Sequence, residues 1–179
     1  SITLRHADLF QNKEEGILLT IDGAAPGMEG NLARRFGREY PDIWEELSEE
    51  LEYPISLGRA QAVEIHEDYL HDGCGFRNKY CFIASTLNHL DTLSDEQKLD
   101  VQSSALRHVL SLAEAKHVKS IATAVMVGGW RLEFKEALRS MVSTIKRAET
   151  ISNTIPSVVI YVLSENEFKQ AETVLSGYK

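Results

Sequence analysis

Residues 120–131 read SIATAVMVGGWR, an apolar run from Ile121 to Val127 that stops at the glycine pair Gly128 and Gly129. An apolar run without polar alternation, closed by glycine, is the pattern of a strand buried on both faces. Amphipathic helices are expected on either side of it. Upstream, Ser94 and Gln97 form a capping-box pattern, and Leu99, Ser103, Leu106, Leu110 and Ala113 recur at helical spacing, which predicts a helix over 95–116. Downstream, Phe134, Leu138, Met141, Val142 and Ile145 form the apolar stripe of a second helix. A further buried run at 158–163 (VVIYVL) follows. A last helix opens at Ser164 and Glu167 and buries Phe168, Ala171 and Leu175. Helix, strand, helix, strand, helix with doubly buried strands requires parallel strands, right-handed crossovers and helices on both faces of the sheet.

The N-terminal half extends the same plan. Residues 16–21 (GILLTI) are another continuous apolar run, closed by the turn signal Asp22-Gly23, and 30–36 and 43–51 read as helices. Two strands, 60–67 and 79–87, follow each other with no helix between them, so part of the sheet is expected to be antiparallel. The fold class is therefore α/β: a three-layer α/β/α sandwich with a mixed, mostly parallel sheet. No repeat, linker or composition break divides residues 1–179, which read as one domain.

Composition limits the functional classes. The 179 residues include 43% hydrophobic and 26% charged residues, the balance of a globular chain and not a disordered one. No apolar run approaches the roughly 20 residues that span a bilayer, so no membrane partner is expected. Two cysteines, Cys74 and Cys81, are too few for a disulfide framework and point to a reducing cytoplasm. The formal net charge is −8, and removing the seven carboxylates of residues 39–52, a stretch with no Lys or Arg, leaves −1 for the rest. The acidity is one solvated helical face. It disfavours bulk nucleic-acid binding and leaves a local anion site permitted.

In such sandwiches ligands sit beyond the carboxyl ends of the strands, where loops run into helix N-termini. Two segments occupy those places. Residues 22–31 (DGAAPGMEGN) contain Gly23, Gly27 and Gly30, whose backbone N–H groups can approach an anion at the start of a helix. An ordinary strand-to-helix turn explains the same residues. The second segment, 127–131, exposes backbone at Gly128 and Gly129 and adds Trp130 and Arg131, suited to stack on a ring and to pair with a phosphate.

These residues resemble a family. His6-Ala7-Asp8-Leu9-Phe10, the 16–21 strand, Met28-Glu29-Gly30-Asn31-Leu32-Ala33 and then Phe36 and Tyr40-Pro41 are similar to the opening of macro domains. The resemblance is to a branch with the pattern G-D-L-F, an Asn-containing strand end, M-G-x-G-[IL]-A and F…Y-P. Residues 105–115, Ser120-Ile121-Ala122 and Gly128-Gly129 resemble the helix, strand and second phosphate loop of that fold. The resemblance implies a macro-type sandwich with a cleft for ADP-ribose or a related nucleotide diphosphate derivative, and no cofactor. In some branches it implies removal of ADP-ribose from proteins or nucleic acids. It places Asp8 at the adenine amino group, Gly30 and Asn31 in the first phosphate loop, Gly128 and Gly129 in the second, and Trp130 beside the ribose.

The chain also departs from that pattern. No Asn stands among Thr20, Ile21, Asp22 and Gly23, where the first strand ends, and Asp22 is the nearest polar substitute and the candidate for activating water. Glu29 and Asn31 replace two loop glycines. A carboxylate facing a pyrophosphate repels it by about 1 kcal/mol or more, so Glu29 must turn away or the ligand differs. The second loop lacks both the Ser-Thr that precedes glycine in many macro domains and the acidic residue that follows the glycines in one hydrolase branch. Three readings remain open at this stage: a nucleotide-binding protein with or without ADP-ribosyl hydrolase activity, a degenerate macro fold acting as a non-catalytic interaction module, and a phosphoesterase. The last would need a metal, and His66, His71, Cys74 and Cys81 fit no common zinc spacing. His66, Glu67, Asp68, His71 and Asp72 read as a solvated hairpin loop.

Overall fold

The computed structural model describes residues 1–27, 29–70, 75–128 and 131–178. Among them, β1 (Ile2–Arg5), β2 (Gly16–Asp22), β3 (Ala60–Glu64), β4 (Tyr80–Leu87), β5 (Ser120–Thr123) and β6 (Ser157–Tyr161) form one sheet in the order β1-β6-β5-β2-β4-β3. Every neighbouring pair is parallel except β3 with β4. That exception is the hairpin-like pair expected where no helix intervenes.

The helices are α1 (Asn31–Glu39), α2 (Pro41–Glu50), α3 (Asp95–Ala115), α4 (Phe134–Ile151) and α5 (Glu165–Ser176). One face of the sheet packs Leu18, Phe82, Ile121 and Val158 against Leu106, Leu110, Leu138, Met141 and Ile145 of α3 and α4, with Ala171 and Val174 of α5. The other face packs Ile17, Leu19, Cys81 and Ile83 against Ala33 and Phe36 of α1 and Ile43 and Leu47 of α2. Each fully buried aliphatic side chain contributes about 1.5–3 kcal/mol, which explains why the central strands carry continuous apolar runs. The carboxylates of α2 lie on its outer face: Asp42, Glu45, Glu49 and Glu50 are exposed and Glu46 is half-buried.

The caps set the helix starts. Ser94 and Gln97 form the reciprocal capping box that opens α3, and Ser164 accepts from the backbone N–H of Glu167 to open α5. Two boundaries differ from the sequence reading. The run 121–127 leaves the sheet after Thr123, although Val125 and Met126 stay buried. The carbonyl of Met126 accepts from Gln102 Nε2 at 2.9 Å, so a helix side chain satisfies this backbone instead of a neighbouring strand. Apolarity there marks burial, not strand. Likewise 65–67 leaves β3, and His66 accepts from the Asp68 N–H at 3.2 Å to open a 3-10 turn over Glu67–Tyr69.

Candidate functional site

The parallel strands present their carboxyl ends along one edge of the molecule. A cleft of about 530 Å³ opens there, lined by Asp8 and Leu9 after β1, Val162 after β6, Val125 and Val127 after β5, and Leu32 in the first turn of α1. Phe134, from the stripe expected to be core, lines this cleft as well. A second groove, of about 500 Å³, lies elsewhere, between β1, α4 and α5.

Asp8 caps the 3-10 turn Leu9–Gln11, accepting the Phe10 N–H at 3.1 Å on Oδ1. Its Oδ2 is paired with Arg35 of α1. Arg35 also donates to Glu39 at 3.1 Å and stands 4.4 Å over the Phe10 ring. The Arg35 hydrogen bond holds the Asp8 carboxyl below the usual carboxylate range and raises Arg35 in turn. The residue expected at an adenine amino group is therefore already oriented by a cation on the cleft wall. Tyr161, also lining the cleft, donates to Glu14 at 2.6 Å, and burial with that partner pushes its phenol up.

The first loop is organised by Asp22 at the end of β2. Asp22 is only 3% exposed. Its Oδ1 accepts the Ala24 N–H at 2.9 Å, and its Oδ2 meets both the backbone N–H of His89 at 3.0 Å and the ring Nδ1 of His89 at 2.9 Å. Gly23 follows in a space that admits no side chain: a Cβ there would lie 2.4 Å from both the Ile55 carbonyl oxygen and Ser85 Oγ. Its N–H donates to the Leu87 carbonyl and its own carbonyl accepts from Ile55, so Gly23 spends its polar groups within the fold.

Glu29 folds back on its own loop, accepting the Gly27 N–H at 2.8 Å. It borders a groove of about 280 Å³ with Arg34, Gly37, Arg38 and Trp44 on another side of α1, and it does not line the larger cleft. The nearby Tyr53 phenol is pushed up to about 12, by burial first and then by Glu29. Gly30, with φ 101°, is the N-cap of α1, and no side chain caps that end. The positive φ suits glycine, and the first-turn N–H groups stay available to an anion. Asn31 is exposed at the helix start.

In the second loop the Arg131 N–H donates to the Gly128 carbonyl at 3.3 Å and the Leu132 N–H to the Val127 carbonyl at 3.1 Å. Arg131 is exposed with φ 54°, a left-handed conformation uncommon for a residue with a side chain. Gly129 and Trp130 lie outside the described residues, as do Met28, His71, Asp72 and Cys74. Cys81 is fully buried within β4, and burial pushes its thiol up. Among the described residues no group of three or more His, Cys, Asp or Glu side chains is placed to hold a metal ion, and no helix is long and apolar enough to cross a membrane.

Two residues of this region carried no signal in the sequence reading. His89 is 67 positions from its partner Asp22 and Tyr161 is 147 from Glu14. No local spacing announces pairs of that separation.

No protein-family model and no curated protein matches the chain. Solved structures do. The Oceanobacillus iheyensis macrodomain with ADP is similar at TM-score 0.77 and 13% identity, over 98% of this chain and 90% of that one. The macro domain of ganglioside induced differentiation associated protein 2 gives 0.75 and 17%, over 99% and 83%. The macrodomain of Thermus aquaticus DarG gives 0.67 and 17%, over 90% and 98%. Similarity at these identities establishes the fold: the chain folds as a macrodomain.

Proposed function

We propose that this protein binds ADP-ribose or a related nucleotide diphosphate derivative in the cleft at the carboxyl ends of β5 and β6. The observation that carries this reading is the position of that 530 Å³ cleft, between an oriented carboxylate, Asp8, and the uncapped N-terminus of α1. Val125, Val127, Leu32 and Phe134 offer apolar surface to a nucleoside. Asp8 keeps acceptor capacity for an exocyclic amino group beside Arg35. The first turn of α1, with Gly30 and Asn31, and the second loop, with Gly128 and Arg131, offer backbone N–H groups and a cation to a diphosphate, and Gly27 joins them where a phosphate displaces Glu29 from its N–H. Gly129 and Trp130 belong to this proposal through the sequence pattern alone. Gly23 shapes the loop, with its N–H and carbonyl bonded to Leu87 and Ile55. The macrodomain solved with ADP supports the same ligand class.

The second reading, a non-catalytic interaction module, draws on Glu29. Its carboxylate takes the Gly27 N–H that a phosphate would otherwise use. Titration calorimetry with ADP-ribose separates the two. Saturable heat below millimolar ligand, weakened at least tenfold in Asp8→Ala, supports nucleotide binding. Absence of heat at millimolar ADP-ribose leaves the interaction module. Hydrolysis of an ADP-ribosyl linkage is the finer form of the first reading, and it requires a group to activate water.

A further inference from the structure

Arg35 is the one cation among the described residues that line the large cleft, and three contacts hold it in place. Its Nη2 donates to Asp8 Oδ2, its Nε donates to Glu39 one turn further along α1, and its guanidinium lies over the Phe10 ring. That ring is itself packed edge-on against Phe36 and Tyr40. Two carboxylates balance the charge of Arg35, which makes it a weak clamp for a phosphate. Its partner Asp8 is the group it acts on.

The carboxylate of an unpaired aspartate turns broadly about its last torsion, because that bond joins a tetrahedral carbon to a planar one. Asp8 is stopped at both oxygens. Oδ1 accepts the Phe10 N–H at 3.1 Å, and Oδ2 accepts from Arg35. A carboxylate has about four acceptor positions, so two stay open to a ligand, in fixed directions. The Arg35 hydrogen bond also holds the carboxyl below the usual carboxylate range, so it stays ionised and can only accept. Arg35 has a second, unselective effect. Glu167 of α5 lines the cleft too, and without Arg35 the cleft wall would show an incoming anion only carboxylates. That repulsion falls on every nucleotide alike, whatever its base.

The geometry points to Arg35 as a positioning residue for base selection: it makes Asp8 a rigid acceptor, and so sets the preference of the cleft for a purine that carries an exocyclic amino group. This rests on the nucleotide-binding reading above and assigns it a selectivity. A preoriented acceptor strengthens binding because its ordering cost is met on folding and not on association. Glu39 and Phe10 hold Arg35 as Arg35 holds Asp8.

The test uses the full chain and two ligands, ADP-ribose and the same molecule with hydrogen in place of the exocyclic amino group. Calorimetry gives both affinities on one protein, and their ratio is the readout. Loss of folded protein lowers both apparent affinities equally and cancels in that ratio. The unaltered protein is expected to prefer ADP-ribose about tenfold or more, the effect of one hydrogen bond to a charged group. In Asp8→Ala the ratio falls to about one, since the acceptor is gone. In Arg35→Met, which keeps an unbranched stem over Phe10, the ratio falls to about threefold or less although Asp8 is present. Affinity for the analogue without the amino group falls there by about threefold or less, through the unselective repulsion alone. Arg35→Lys keeps the charge and a donor for Asp8, and it recovers selectivity that Arg35→Met loses. An Arg35→Met protein with the ratio of the unaltered one overturns the inference and leaves nucleotide binding intact, and so does an unaltered protein that binds both ligands equally. Failure of the unaltered protein to bind either ligand removes the nucleotide reading together with this one.

Discussion

Replacing Asp22 by Asn changes one atom and tests the organisation of the whole loop. The carboxylate is 3% exposed and accepts from the Ala24 N–H, the His89 N–H and His89 Nδ1. An amide has one acceptor oxygen and one donor nitrogen, so its NH2 must face one of these donors. The least costly arrangement keeps the oxygen toward His89 and turns the nitrogen on Ala24. Two charge-assisted bonds then become neutral, at about 1 kcal/mol each, and the Ala24 N–H loses its partner at about 1–2 kcal/mol. The expected loss is about 3–4 kcal/mol, which lowers the melting temperature by about 10 °C in a chain of this size. Urea denaturation measures it directly, and an unchanged slope confirms that the two proteins unfold between comparable states. His89→Asn, which retains one donor to Asp22, should lose much less. A cost below about 1 kcal/mol for Asp22→Asn would refute the description of Asp22 as a buried, triply bonded acceptor, and with it the orientation of His89.

Stability should also depend on acid through Asp8. Arg35 holds that carboxyl below its ordinary value of 3.8, so the pair contributes stability above that pH and loses it as pH falls through the lower folded value. Because the pair is partly exposed, the gap between the unaltered protein and Asp8→Asn should be about 0.5–1 kcal/mol at pH 7 and shrink as pH falls below 3.8 toward the lowered folded value in urea titrations. A gap that widens in acid would contradict the sign. Gly23→Ala should cost about 2 kcal/mol or more by thermal unfolding, since the added methyl would meet the Ile55 carbonyl and Ser85 at 2.4 Å. A neutral substitution there would mean that the strand end is not packed as described.

The parts of the fold legible in the sequence are those whose physics is local. Continuous apolar runs marked β2, β5 and β6 because a strand covered on both faces has no polar side to alternate. The capping residues Ser94 and Ser164 marked helix starts because they satisfy orphan N–H groups nearby. β1 escaped: its four residues alternate between half-buried and exposed, as an edge strand does, and such a short stretch carries little period. The end of the 121–127 run was misread because Gln102 of α3, brought in from a distant part of the chain, substitutes for a neighbouring strand.

The site divides in the same way. The glycines of both loops were visible as residue types at strand ends, and Asp8 was placed only through the resemblance to macro domains. Their partners were not. Arg35 lies 27 residues from Asp8, and His89 lies 67 from Asp22, so only the sheet order brings them together. Glu29 shows the limit most clearly. Sequence leaves Glu29 either turned away from a pyrophosphate or beside a different ligand, and folding bonds the carboxylate to the Gly27 N–H of its own loop.

The central claim is that a nucleotide diphosphate lies along the carboxyl edge of the sheet, and the crystal structure of the protein with ADP-ribose tests it most directly. The account predicts the adenine amino group within hydrogen-bond distance of Asp8 and the diphosphate between the start of α1 and the loop after β5. ADP-ribose held elsewhere, such as in the groove between β1 and α5, or a cleft left empty at saturating ligand, would contradict it.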